Sequence, residues 1–291
     1  MVNIAANWAG NLMTIATEHK ASQLAMHPLA QNPQAGRWRT EAMRSHATPR
    51  LVFIAKGQGR ITVAGLTRGY NVNNLIFIPA HTMYGMEVGP TVFGQILTIP
   101  AAMAAEWPAE PVHLRLRDVT VQREFTTLLD ALERELKQAT PSRAAHYHLG
   151  LLSVFFERQV ALLPTEPGIA DTTAARLVAA YTDLIERDYR SGKGVAQYAA
   201  ALGVTTTHLT RCCKQTCGRA ALALLNDRLT YEACVLLRES ALPIRQIAAD
   251  LGFTSAAYFT RAFQARMGRT PSDFRRRGAA PQRPGASGMR V

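Results

Sequence analysis

Two short stretches of the chain set hydrogen-bonding side chains on the outward face of a short helix. In residues 195–214, VAQYAAALGVTTTHLTRCCK, Leu209 and Cys213 turn inward at helical spacing, which leaves Thr207, Thr210, Arg211 and Lys214 outside. In residues 244–264, IRQIAADLGFTSAAYFTRAFQ, the inward stripe is Phe259, Ala262 and Phe263, and Ala256, Ala257, Tyr258 and Arg261 face away. Such sets suit recognition better than catalysis. A guanidinium fork donates two parallel hydrogen bonds to the edge of a guanine, each good pair giving about 1–3 kcal/mol of discrimination. Arg211 and Arg261 therefore carry most of the expected readout, Thr207 and Thr210 add hydroxyls, and Tyr258 can touch a thymine methyl. Ala256 and Ala257 can only meet methyl groups or permit close approach. Thr205, Lys214, Ser255 and the run Arg275, Arg276, Arg277 are candidates for phosphate contacts, which position a protein without specifying sequence.

The elements that must hold these side chains are equally legible. Ile244, Ile247, Ala248 and Leu251 recur at helical spacing, and Gly252 follows where a helix end favours positive φ. Ser255 is then an N-cap for a second helix. Gly203 and Thr205 repeat the scheme 49 positions earlier at the glycine. One such unit is as readily an ordinary αα-hairpin in a helical core. Two of them, joined by an uninterrupted helical pattern from about Ala220 to Ser240, suggest more. At about 1.5 Å per residue that spacer is roughly 30 Å long, near the ~34 Å between successive major-groove faces of B-DNA. An amphipathic helix from Thr172 to Tyr189, using Ala175, Leu177, Val178, Tyr181, Leu184 and Ile185, would cover both units, and loss of Leu184 is expected to unfold them.

Residues 195–277 resemble the DNA-binding domain of the AraC/XylS family of bacterial transcriptional regulators. The likeness rests on IAADLGFTSAAYFTRAFQARMGRTPSDFRR, on Arg228-Leu229 in the spacer helix, and on Leu236-Leu237 before Pro243-Ile244. Cys212-Cys213 depart from it, standing where a bulkier apolar residue is usual. By position, the resemblance implies the same reading residues: Thr207, Thr210 and Arg211 in the first unit, and Ala256, Ala257, Tyr258 and Arg261 in the second.

Charge agrees with an anionic partner. The 291-residue chain has a formal net charge of +12. From Asp171 onward 18 Lys+Arg stand against 9 Asp+Glu, so +9 of it lies in the C-terminal part. A surface that neutralises phosphates releases counterions, and double-stranded DNA is the partner this implies. No apolar run approaches the ~18 residues of a membrane span, and the first residues lack the basic head and apolar core of a signal peptide. A cytoplasmic protein without membrane contact is expected. The four cysteines, Cys212, Cys213, Cys217 and Cys234, all lie in the helical part and read as structural filler rather than metal ligands or redox groups.

The preceding part reads differently. Residues 1–36 lack a clear period and suggest irregular or short helical turns. Then Arg50–Lys56, Arg60–Val63, Thr67–Val72, Leu75–Pro79, Tyr84–Val88 and Val92–Ile99 are short, β-branched-rich and separated by Gly, Asn or Pro, the pattern of a small barrel or sandwich. Gly57-Gln58-Gly59 and Ile78-Pro79 resemble the cupin-like effector domain of many AraC-type regulators. Metal-binding cupins would need ligands where this chain has Arg44, His46, Arg50 and Tyr84, with His81 replacing a glycine. One histidine cannot hold a divalent ion for catalysis, so no metal, cofactor or catalytic residue is expected. His46 reads as a surface or hydrogen-bonded side chain. The resemblance instead implies a small-molecule effector, with Lys56 at the position of a sugar-binding basic residue and Phe53, Ile78, His81, Tyr84 and Met86 as neighbours.

After Pro111 the period turns helical. Val121, Phe125, Leu128, Leu129, Leu132 and Leu136 form one stripe, and a second helix to about Leu163 is apolar over most of its circumference. The resemblance implies a homodimer through residues 119–163, although packing on the barrel would serve as well. The expected fold is α+β: a cupin-like β-barrel effector domain (1–115) with a helical hairpin (116–163), a Pro/Gly linker (164–171), an all-α double helix-turn-helix domain (172–278) and a disordered tail (279–291). The expected function is a sequence-specific transcriptional regulator responding to a small molecule. RNA polymerase is a further candidate partner, although no stretch identifies a contact with it. The alternatives are a metal-dependent cupin enzyme with a helical appendage, and a DNA-repair or nucleoid protein.

Overall fold

The computed structural model describes residues 23–30, 38–138, 143–163 and 172–278. The linker and tail expectations fall outside these residues. The strands, all antiparallel, are β1 (Ala25–Ala30), β2 (Arg50–Lys56), β3 (Gly59–Val63), β4 (Leu66–Tyr70), β5 (Asn74–Ile78), β6 (Tyr84–Met86), β7 (Phe93–Thr98) and β8 (Val112–Arg115). They form one sheet in the order β1-β7-β2-β5-β8 and another in the order β4-β3-β6. A short helix, α1 (Trp38–Glu41), follows β1 in sequence.

The larger sheet is buried on both faces, and its sequence alternates between two cores. In β2, Leu51 and Phe53 point to one side and Val52 and Ile54 to the other; in β5, Leu75 and Phe77 oppose Ile76 and Ile78. Val52, Ile54, Ile76 and Ile78 meet Ile61, Tyr70, Tyr84 and Met86 of the smaller sheet. Leu51, Leu75 and Phe77 meet the helical hairpin α2 (Val119–Leu136) and α3 (Arg143–Ala161) through Phe125, Leu132, Leu149 and Phe156. This double burial explains why Leu75–Ile78 reads as an unbroken apolar run.

Two strands were not legible. Ala25–Ala30 lies where irregular turns are expected, because Pro28 demotes a strand; β1 is the sheet's edge, where a residue without an N–H is tolerated. Val112–Arg115 lies where a helical period is expected, yet it forms the opposite edge, and the helix starts only at Val119 behind its N-cap Asp118.

The C-terminal part is helical: α4 (Thr173–Asp188), α5 (Val195–Ala201), α6 (Thr206–Cys217), α7 (Ala221–Glu239), α8 (Ile244–Asp250), α9 (Ala256–Met267) and α10 (Pro271–Gly278). Helix α4 buries Val178, Tyr181 and Ile185 completely, and the Tyr181 hydroxyl donates to the Ala221 carbonyl at 2.9 Å. Leu184 is half-buried and packs against the same core, whereas Tyr181 and Ile185 are fully buried in it. Arg228 of α7 is buried, paired with Glu186 at 2.7 Å and Glu232 at 2.9 Å, and its guanidinium lies 3.9 Å over the Tyr189 ring. The turns at Gly192 and Gly252 press on each other: both have positive φ, and a Cβ on Gly252 would sit 2.4 Å from the Gly192 nitrogen.

Candidate nucleic-acid interface

The two helix-turn-helix units are built by the same local rules. Gly203 and Gly252 take φ of 68° and 75° just after α5 and α8. Each turn is closed by the same bond, Val204 N–H to the Ala199 carbonyl and Phe253 N–H to the Ala248 carbonyl, both 2.9–3.0 Å. Thr205 caps α6, its Oγ1 accepting from the His208 amide at 3.2 Å, and Ser255 caps α9, its Oγ accepting from the Tyr258 amide at 3.1 Å. Counted from these caps the units superpose at an offset of 50 residues, so Leu209 matches Phe259, Cys213 matches Phe263 and Arg211 matches Arg261. Gly218 and Gly268 end the two helices with φ of 69° and 67°. Helix α7 between them spans 19 residues, about 28 Å.

The outward faces are as the spacing predicts in most positions. Thr207, Arg211 and Lys214 are exposed and Thr210 half-buried on α6; Ala257, Tyr258 and Arg261 are exposed on α9. Ala256 is partly turned toward the apolar core instead. Both cap hydroxyls already accept from backbone, so Thr205 and Ser255 keep only their O–H proton for a phosphate oxygen. Arg275 is engaged differently: its Nη2 donates to the Leu242 carbonyl at 2.6 Å, while Arg276 pairs with Asp273. Arg276 and Arg277 are the exposed members of that run.

The residue that sequence reasoning missed is His208. Arg211 Nη2 lies 3.1 Å from its Nδ1, and its Nε2 lies 3.6 Å from Cys212 Sγ. With the proton on Nε2, the imidazole accepts from Arg211 on the exposed side of α6. The spacing His208, Arg211, Cys212 is a one-turn signal of this contact. Cys212 and Cys213 fill the core beneath, and burial raises the Cys213 thiol to about 12, so it stays protonated.

The effector candidates are only partly brought together. Phe53 packs on Phe125 of the hairpin with ring centroids 4.9 Å apart, Lys56 is exposed, and Tyr84 and Met86 are buried between the sheets. Ile78 is buried in that same core. His81, exposed at φ 58°, lies beside Asp183 and Glu186 of α4. His46 is not a surface group: it packs against Tyr84, its Nε2 is buried without a partner among the described residues, and burial together with Arg50 and Arg44 lowers its pKa to about 2. A cavity of about 490 Å³ lies elsewhere, between the open edges of the two sheets and helix α4. Ile61, Leu66, Phe77 and Ala179 line it, with Arg68 and Arg176 among its polar groups. His113 in its wall is held to Asn74 at 3.0 Å, and burial beside Arg68 lowers its pKa to about 4.

Residues 198–277 match the family described as "Helix-turn-helix domain". The right origin-binding protein of Escherichia coli (strain K12) is 38% identical over 78 residues, 27% of this chain and 27% of that protein. The regulatory protein SoxS of the same strain is 43% identical over 53 residues, covering 18% of this chain and 50% of SoxS. The first of these relatives is thus matched over about a quarter of its length. The crystal structure of ToxT from Vibrio cholerae O395 aligns with 90% of this chain and all of that one, at 13% identity and a TM-score of 0.45. The repeated caps, the paired turns and the sequence matches converge on one assignment: the C-terminal part of this chain is a helix-turn-helix domain of the AraC type.

Proposed function

We propose that the protein is a transcriptional regulator that binds double-stranded DNA sequence-specifically with both helix-turn-helix units and responds to a small molecule through residues 1–115. The observation that supports this most is the repeat itself: two capped helices carry an arginine at the same position, joined by a spacer of about 28 Å. Arg211 and Arg261 read bases, Thr207, Thr210, Ala257 and Tyr258 complete the contacts, and Lys214, Arg276 and Arg277 meet phosphates. Selection of duplexes from random sequence by the full chain, followed by footprinting, tests the reading. Protection of two adjacent major-groove segments per chain is expected, and protection of no defined sequence would end it.

The effector site we assign is the cavity beside α4 rather than the residues named from the sequence. Its apolar walls and its two guanidiniums against the single carboxylate of Glu110 favour an apolar molecule with one anionic group. Dodecanoate and dodecanol separate charge from chain length. Dodecanoate is expected to raise the melting temperature of the full chain, and Arg68→Ala or Arg176→Ala to reduce that rise; equal effects of both compounds would remove the arginines from the site.

A homodimer is supported by one face. Tyr147, Leu151 and Val154 of α3 are exposed by 62%, 52% and 41%, at the spacing of one helix side. Leu151→Glu is expected to yield a monomer in sedimentation, and a wild-type monomer at micromolar concentration would rule the dimer out.

A further inference from the structure

A groove of about 450 Å³ runs between helix α7 and the second unit, and it shares no lining residue with the cavity beside α4. Ala221, Leu224 and Leu225 of α7 are buried, so the turn of about 100° from one residue to the next sends Leu222 outward, where it is 54% exposed. Across the groove stands Tyr258 of α9, also 54% exposed, with its ring centroid 5.9 Å from that of Phe253. One exposed leucine is ordinary on a protein surface. This one opens the helix that follows the first reading helix and shares a groove with an outward side chain of the second.

The charges that line the groove have one sign. They are Lys193 and Arg266, with no carboxylate among the described residues there. Lys193 pairs with Asp188 at 2.7 Å. Arg266 forms no ion pair among the described residues, and Asp227, whose charge reaches it, is held by Arg219 at 2.6 Å. An apolar rim beside an uncommitted cation, continuous with the reading face, suits a polyanion that also offers a narrow apolar-walled cleft.

A duplex offers that cleft. Successive major grooves on one face are separated by a minor groove, about 6 Å wide. A chain that puts its two reading helices into adjacent major grooves turns the surface between them toward that minor groove. There A·T and T·A pairs show only acceptors, whereas G·C adds the guanine N2 amino donor. The amino group projects from the groove floor, so a leucine reaching in meets it, takes away its water and offers no acceptor in return.

We infer that Leu222 enters the minor groove between the two engaged major grooves and selects A·T pairs there by excluding the guanine N2 amino group, while Arg266 takes a flanking phosphate. The assignment rests on the DNA-binding reading above and adds a base preference at positions distinct from those of Arg211 and Arg261.

The test uses the full chain and a duplex selected by it from random sequence. The pairs between the two protected segments are set to A·T, to G·C or to inosine·C, which keeps the major-groove pattern of G·C but lacks the N2 amino group. A·T and inosine·C are expected to bind alike and G·C roughly tenfold more weakly, the size of one disfavoured pair. Leu222→Asn supplies an acceptor and is expected to bring G·C level with A·T, with thermal unfolding unchanged because the side chain is exposed. Equal binding of all three duplexes by the unmodified chain would overturn the proposal. So would inosine·C as weak as G·C, which would assign the preference to something other than the amino group. An undiminished G·C penalty in Leu222→Asn would take the role from Leu222. If the DNA-binding reading itself fails, no duplex is selected and none of the three binds, whereas failure of this proposal alone leaves tight binding without the central preference.

Discussion

Arg211 and Lys214 lie one turn apart on α6, but their chemistry separates them. Arg211 lies exposed with its Nη2 3.1 Å from His208 Nδ1, and under the proposed base-reading role Arg211→Ala is expected to relax discrimination at one position by about 1–3 kcal/mol. Lys214→Ala should instead weaken all sequences alike and reduce the salt slope by about one ion. Binding measured on matched and mismatched duplexes across a salt series distinguishes the two; uniform loss from Arg211→Ala would remove its base-reading role. His208→Ala should resemble a mild form of Arg211→Ala, since it frees the guanidinium without deleting it. Arg228 carries a different load. Its guanidinium is buried between Glu186 and Glu232, and because Glu232 also holds Arg190 at 2.6 Å, Arg228→Met strands the Glu186 carboxylate and is expected to destabilise the helical domain by about 3–5 kcal/mol. Denaturant unfolding measures this, and a change below 1 kcal/mol would mean that water reaches the carboxylate.

At the scale of elements, α4 is the part on which the DNA-binding helices assemble. Ile185 is fully buried against them, and Ile185→Ala should cost about 2–5 kcal/mol, whereas half-buried Leu184 should cost less. Thermal unfolding of the two variants ranks them, and the reverse order would misplace the helix. The helices were the most readable elements of the chain, because Gly203, Gly252, Thr205 and Ser255 act through backbone rules that need no partner. Their glycine φ values and cap bonds follow directly from residue type. The edge strands were not readable, since Pro28 and the four-residue VHLR acquire their meaning only from the neighbours that pair with them. The cavity beside α4 was hidden for the same reason: Arg68, His113 and Arg176 are far apart in sequence and meet only where two sheet edges and α4 converge. His208 was legible in spacing but not in consequence, because its contacts with Arg211 and with the Cys212 sulfur one turn further on appear only once the helix is built.

For the molecule as a whole, two neutral imidazoles contribute to the response to acid. His46 and His113 have folded pKa values lowered from 6.5 to about 2 and about 4, chiefly by burial. The unfolded chain therefore binds protons below pH 6.5 that the folded chain refuses, and stability falls as pH drops through the window from 6.5 toward 4. Each histidine adds a slope of up to about 1.4 kcal/mol per pH unit there. Melting temperature is expected to be flat between about pH 7 and 8 and to fall between pH 6 and 4.5. His46→Asn should shallow that fall, and an unchanged profile would show that the imidazole titrates freely.

The facing turns at Gly192 and Gly252 also bear on how this domain can be recombined. Each glycine leaves room for the other's backbone, so the loop before α5 and the turn inside the second unit are a matched pair. A chimera that imports only residues 241–278 from a relative would bring a turn shaped for a foreign loop. Transplanting 189–194 along with it would keep the pair together, so modular exchange of binding specificity in this chain has a seam that does not follow the order of its helices.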